Sequence, residues 1–199
     1  MKRALFIWGM IILCTCAFAQ EERDWTSNVD ITIKAGIGGT GFTSSVEQTK
    51  SQVAFRTGVS ADIPISHKIG LQPSLFYTYR GGNIKEPTDI NCRLSYLDLP
   101  ILFCFYDVID KDNAYGLPEG PIMKWEIGPY IGYKLNGDIK KANAPTKKFD
   151  FGVSGGMDVT INHIVFSGEV SVGAIPVCKD YNGHRLHNMT LILSLGYKL

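Results

Sequence analysis

Met189-Thr190-Leu191-Ile192-Leu193-Ser194-Leu195-Gly196-Tyr197-Lys198-Leu199 closes the chain. Its odd positions are Met, Leu, Leu, Leu, Tyr and Leu. Its even positions are Thr, Ile, Ser, Gly and Lys. Side chains alternate faces along a strand, so this stretch reads as a β-strand with one apolar and one largely polar face. It lies at the end of the chain with an aromatic residue two places before the terminus. A strand of this kind suits the closing seam of an outer-membrane β-barrel.

The same alternation recurs upstream. Strands are predicted at about Val29–Gly38, Gln52–Ile63, Ile69–Arg80, Leu94–Tyr106, Ile122–Leu135, Lys148–Ile161 and Ile164–Ala174, with the last at His187–Leu199. Pro64 to His67 and Asn162-His163 read as tight turns. The fold class is therefore all-β: a closed, eight-stranded, antiparallel up-and-down transmembrane barrel, with each strand long enough to cross a bilayer at a tilt. The last strand should pair with both the first and the seventh. An even strand number puts both termini on one side, the periplasmic side. Pro73, Pro100 and Pro129 each remove a ladder donor, so each should sit at a bulge or a rim.

Alternation alone does not say which face is inside. The strand charges are Asp30, Lys34, Arg56, Asp62, Arg80, Asp98, Lys124, Glu126, Lys134, Lys148, Asp150, Asp158, Glu169 and Lys198. All fall opposite the apolar face, and Arg93, at a loop edge, breaks the parity. An Arg or Lys on the lipid face near the midplane costs roughly 2–4 kcal/mol, so a membrane barrel keeps that face free of charge. Aromatics cluster near both strand ends, with Phe103, Phe105, Trp125 and Tyr197 at one level and Phe55, Tyr77, Tyr79, Tyr133 and Phe149 at the other. Two such girdles belong to a membrane barrel. The rival, a soluble ligand-binding barrel, requires Leu191 and Leu193 to point into a core.

The N-terminus carries Lys2-Arg3, an apolar run from Ala4 to Leu13 and the small-x-small site Ala17-Phe18-Ala19. That is the pattern of a secretory signal peptide over residues 1–19, leaving residues 20–199 as the barrel domain. Leu13 and Thr15 fit poorly before a lipidated cysteine. A formal net charge of +1 gives no electrostatic footprint for nucleic acid. Of five cysteines, Cys92, Cys104 and Cys178 lie beyond the signal. Cys92 and Cys178 fall in loops at one end of the topology and form the candidate disulfide.

Three patterns invite a catalytic or ligand reading. Gly36-Ile37-Gly38-Gly39-Thr40-Gly41 matches the dinucleotide fingerprint, but no helical period follows it, so no cofactor is assigned. His184, His187 and Cys178 lack a full ligand set for a metal, and none is assigned. Ser44, Ser45, Asp180, His184 and His187 could supply the parts of a loop-borne triad, but a triad is a matter of geometry, and no catalytic residue is assigned. Lys140, Lys141, Lys147 and Lys148 make one loop basic; it either contacts lipid phosphates or is simply solvated. Lys34, Arg56, Asp98, Glu126 and Glu169 fall near mid-barrel and form a candidate lumen charge network. Eight strands leave little room beyond side chains, so the network should plug the pore.

Tyr96-Leu97-Asp98-Leu99-Pro100-Ile101-Leu102 resembles the Tyr-Leu-acidic-aliphatic-Pro-aliphatic-Leu segment of the PorT-type outer-membrane barrel family of Bacteroidetes. Gly128-Pro129-Tyr130-Ile131-Gly132-Tyr133-Lys134-Leu135 and Phe151-Gly152-Val153-Ser154-Gly155-Gly156-Met157 resemble that family's fifth and sixth strands. The likeness covers nearly all of the chain after the signal. It implies an eight-stranded barrel in the outer membrane and no single activity, although the family's namesake is tied to protein secretion. The expected role is thus non-enzymatic: structural, or an interaction through loops or turns. The alternatives are an accessory or assembly factor for secretion, a small-solute pore, or a loop-based lipid enzyme. The expected partners are outer-membrane lipid and other envelope or secretion proteins, with the barrel itself a monomer.

Overall fold

The computed structural model describes residues 29–43, 49–66, 68–84, 90–108, 122–137, 147–176, 178–179 and 185–199. The proposed signal peptide lies outside them. Among the described residues nine strands are present: β1 (Asp30–Thr43), β2 (Thr49–Pro64), β3 (Ile69–Ile84), β4 (Ile90–Val108), β5 (Ile122–Asn136), β6 (Phe149–Ile161), β7 (Ile164–Gly173), β8 (Cys178–Lys179) and β9 (Arg185–Lys198). β8 is a two-residue ladder on β9. The other eight strands form the wall, each antiparallel to its neighbours in chain order. β9 then pairs with β1, from Thr32↔Lys198 to Thr43↔His187, and the sheet closes on itself. Closure leaves no row of unpaired backbone groups, which a wall surrounded by hydrocarbon requires.

The alternation settles which face is which. Leu191 and Leu193 point outward, 49% and 65% exposed. Ile37, Val53, Trp125 and Phe166 share that outer surface, while Lys34, Arg56, Arg80, Asp98, Lys124 and Glu126 are buried inside. A water-soluble barrel has the opposite arrangement. Cross-strand aromatic pairs mark both ends of the outer face: Phe105↔Trp125 near one end, and Tyr133↔Phe149 and Phe55↔Tyr79 near the other. Even the shortest wall strand, β7, has 10 residues, enough to cross at a tilt.

Both ends of the described wall, Asp30 and Lys198, lie at one end of the barrel, which we call the termini end. The seam is tied there by Leu199 N donating to Ile31 O at 2.8 Å, and Lys198 N donates to His163 O of the β6–β7 turn at 2.7 Å. The Asn162-His163 turn joins the directly paired Ile161 and Ile164. Asn162 adopts φ 54°, a left-handed value that asparagine tolerates better than most side chains.

Two features differ from the sequence expectation. The strands run further at the far end: β1 continues to Thr43, β3 to Ile84, and β4 begins at Ile90. Outside the membrane an extended hairpin needs no apolar face, so the periodic signal stops before the pairing does. The prolines sit neither at a bulge nor at a rim. Opposite Pro73, pairing lapses between Ser60↔Ser74 and Ile63↔Leu71. Opposite Pro100 it lapses between Pro73↔Ile101 and Phe76↔Asp98, and opposite Pro129 between Pro100↔Tyr130 and Phe103↔Ile127. The register is unchanged across each lapse. Each proline pairs normally on its other side, so each gap falls on the side its missing N–H would serve. The register shifts that do occur lie at the far end, between Ser51 and Phe55 and between Ser95 and Tyr96.

Candidate functional site

The lumen holds the charged residues. The closed sheet turns the even positions 70–80 of β3, 94–104 of β4, 124–132 of β5 and 150–158 of β6 inward, so residues distant in sequence face each other across a narrow space. Two layers result.

The layer nearer the termini is centred on Lys124. Its Nζ lies 3.1 Å from Asp62 Oδ2, 3.1 Å from Asp158 Oδ2 and 3.8 Å from Glu126 Oε2. It also donates to Gln72 Oε1. Gln72 Nε2 in turn donates to Glu126 Oε2 at 3.1 Å. Lys34 reaches Asp158 Oδ2 from the opposite wall at 2.7 Å, and the Tyr106 hydroxyl donates to Asp62. Below this layer, Lys198 pairs with Asp30 at the mouth at 2.7 Å. A cavity of about 70 Å³ lies there among Asp30, Thr32, Asp62, Tyr106, Lys124 and Lys198, with room for about two waters.

The second layer is built on two arginines. Arg56 Nη1 lies 2.7 Å from Glu169 Oε1, and its Nη2 lies 3.9 Å from Asp98 Oδ2. It donates to Thr78 and Ser171 and sits 5.1 Å from the Phe76 ring centroid. Arg80, 1% exposed, pairs with Asp98 and lies 3.6 Å from Asp150. Its guanidinium sits 4.4 Å from the centroid of Tyr96 and 5.6 Å from that of Tyr130. Asp150 also accepts from Asn188 Nδ2 at 2.8 Å and from the Tyr130 hydroxyl at 3.1 Å. Each buried charge thus has an opposite charge within reach, and several pairs span the lumen. A buried charge is tolerated only on those terms.

All five residues of the candidate network are buried. Among them only Arg56 makes direct pairs, with Asp98 and Glu169. Lys34 belongs to Asp158, and Glu126 to Lys124 and Gln72. Arg80, Asp150, Lys124 and Asp158 carry as much of the geometry as those five. Their inward parity was legible, but their partners across the lumen depend on strand tilt. Lys148, counted with the strand charges, lies just before β6 and is exposed.

The glycine motif lies within paired β1. A Cβ at Gly36 or Gly38 would collide with the β9 backbone at Leu193 O or Leu191 O. These glycines therefore permit close approach at the closing seam, and the next described element is strand β2, where the dinucleotide reading requires a helix. His187 Nδ1 lies 3.0 Å from Gly173 O. His184, Ser44, Ser45 and Asp180 lie outside the described residues, as do the side chains of Cys92 and Cys178. Cys104 is buried and faces the lumen. Among the described residues, no group of three or more His, Cys, Asp or Glu is placed to hold a metal ion.

Residues 18–177 match the family model described as outer membrane protein beta-barrel domain. The chain belongs to this family. An outer-membrane barrel domain thus accounts for the greasy exterior and the charged lumen together. No curated protein matches the chain in sequence. Solved structures of similar fold include the outer membrane protein OprG from Pseudomonas aeruginosa, at TM-score 0.55 and 14% identity, covering 87% of this chain and 97% of that one. The outer membrane enzyme PagL is similar at TM-score 0.53 and 13% identity, covering 83% and 98%. Ail, the attachment invasion locus protein of Yersinia pestis, solved with the heparin analogue sucrose octasulfate, is similar at TM-score 0.50 and 12% identity, covering 86% and 99%. At these identities the likeness concerns fold. The family member described here is an outer-membrane β-barrel.

Proposed function

We propose that this family member is a monomeric, non-enzymatic barrel whose lumen is closed by its own ion pairs. It acts structurally or through contacts made by its loops and turns. The observation that carries this reading is the set of cross-lumen pairs, above all Lys34–Asp158 and Arg56–Glu169, which join β1 to β6 and β2 to β7. Side chains anchored on opposite walls fill an eight-stranded lumen. Residues 1–19 serve as the signal, residues 20–199 form the mature barrel, and both termini of the barrel face the periplasm. Cys92 and Cys178, at the far end, form the proposed disulfide, checked by thiol alkylation before and after reduction.

Planar-bilayer recording tests the plug. The wild-type barrel should give no conductance steps. Arg56→Ala combined with Lys34→Ala, which removes one tie from each layer, should open measurable steps. Wild-type steps as large as those of the double variant overturn the plug.

The PorT-type resemblance supports a second reading, an accessory role in protein secretion. The segment carrying it, Tyr96 to Leu102, supplies the aromatic face and the carboxylate that hold Arg80. Deleting the gene and comparing secreted proteins decides between the two. Loss of a set of secreted proteins, restored by the intact gene, favours the accessory role. Lipid hydrolysis or acyl transfer by the purified barrel would favour an enzyme instead.

A further inference from the structure

The two longest connections in the chain flank β5 and carry opposite charge. Residues 109–121, which lead into β5 at the termini end, contain Asp110, Asp112 and Glu119 against Lys111. Residues 137–148, which lead out of it at the far end, contain Lys140, Lys141, Lys147 and Lys148 against Asp138. The other far-end segments are nearly balanced: Glu47 with Lys50 around the β1–β2 connection, Lys85 with Glu86 and Asp89 between β3 and β4, and Lys179 and Arg185 with Asp180 between β7 and the start of β9. The basic excess is therefore local to the exit of β5.

The structure fixes where the described part of that exit sits. Lys147 and Lys148 are exposed, and Lys134 N donates to Lys148 O at 2.7 Å, which ties the second lysine to the top of the wall. One residue closer to the membrane, Tyr133 and Phe149 are cross-strand partners on the outer face. Their ring centroids are 5.3 Å apart at 61°, and both are exposed. An aromatic pair of this kind marks the level where hydrocarbon gives way to headgroups. The lysines lie just past it, at the depth of lipid phosphates.

We propose that Lys147 and Lys148, above the Tyr133–Phe149 pair, form a binding site for the phosphate groups of outer-leaflet lipid. The assignment to the outer leaflet rests on the orientation proposed above, with the termini periplasmic. The lysines supply charge, and the rings hold that edge of the wall at the right depth. The acidic connection at the other end of β5 disfavours the reverse insertion.

The mature protein, folded into phosphatidylcholine vesicles, is offered diphosphoryl lipid A or its dephosphorylated analogue. Lipid retained through purification is counted by native mass spectrometry. The phosphorylated lipid should be retained preferentially, by roughly thirty-fold for two lysines, and the preference should shrink with added salt. Lys147→Glu with Lys148→Glu should abolish it. Both side chains are exposed, so the folded, heat-modifiable gel band should persist and show that the variant is intact. Unchanged retention in the double variant, or equal retention of the dephosphorylated lipid, overturns the site. Full displacement by inositol hexakisphosphate overturns the lipid assignment in favour of a soluble polyanion. Orientation is read separately: Lys147→Cys, in a chain lacking Cys92 and Cys178, should react with an impermeant maleimide on intact cells. Absence of that labelling overturns the orientation and the leaflet, whatever the vesicle result.

Discussion

Arg80 is the residue on which the upper lumen layer depends most. It is enclosed by Tyr96 and Tyr130 and faces both Asp98 and Asp150. Arg80→Leu keeps much of the bulk but leaves buried Asp150 without its cation and Asp98 with only Arg56, 3.9 Å away. Breaking a buried pair from one side costs about 3–5 kcal/mol. Urea unfolding in lipid vesicles should show a loss of that order, and most of it should return when Asp98→Asn and Asp150→Asn are added. No recovery would mean that Arg80 acts by packing on the rings, not by charge. The sequence showed that Arg80 faces inward, because parity follows from position alone. It did not show Arg80 opposite Asp150, because that contact joins β3 to β6 and depends on how far the strands tilt around the wall. Gln72 and Asn188 were missed for a related reason: an uncharged amide gives no signal until its partners are known.

Among the elements, β3, β4 and β5 differ from the rest. Their prolines interrupt three adjacent ladders in a row. A lost ladder bond costs about 1 kcal/mol in water, and more where hydrocarbon prevents water from replacing it. Hydrogen exchange should therefore be faster in peptides covering 70–78 and 97–104 than in those covering 164–172 and 189–197. Pro100→Ala, which restores one donor, should slow exchange in the first pair. Equal rates across the barrel would show that the gaps are closed by other means. The existence, order and neighbours of the eight wall strands were all legible, because period-two alternation persists wherever a strand meets lipid on one side; the two-residue β8 was read as loop. Strand ends were not, since the period-two apolar signal stops before the pairing that reaches Thr43, Ile84 and Ile90. The placement of the prolines was misjudged because a closed wall absorbs a missing donor without shifting register. An open sheet more often answers it with a bulge.

At the scale of the whole molecule, composition and parity together indicate a membrane barrel, and the closed sheet and family membership agree. What the barrel does was not legible. Its distinctive chemistry is internal, and paired charges inside a wall can serve support, closure or gating alike. Charge distribution by end is more informative than net charge. A chain with a formal net charge of +1 conceals one acidic and one basic connection on either side of a single strand.

The β1–β9 seam has a consequence for assembly. It joins the first and last wall strands, so any piece of the protein lacking either one is a curved sheet with two open edges. The wall cannot be complete until its last strand is available. Once formed, that seam is bonded like the other seven, and the wall no longer records where the chain began. A circular permutant that links Leu199 to Val29 through a short glycine–serine segment and opens the chain between Asn162 and His163 should reach the same barrel. Its check is the same heat-modifiable gel band and the same unfolding midpoint. A permutant that never closes would show that the order in which strands become available, and not only their pairing, directs the fold.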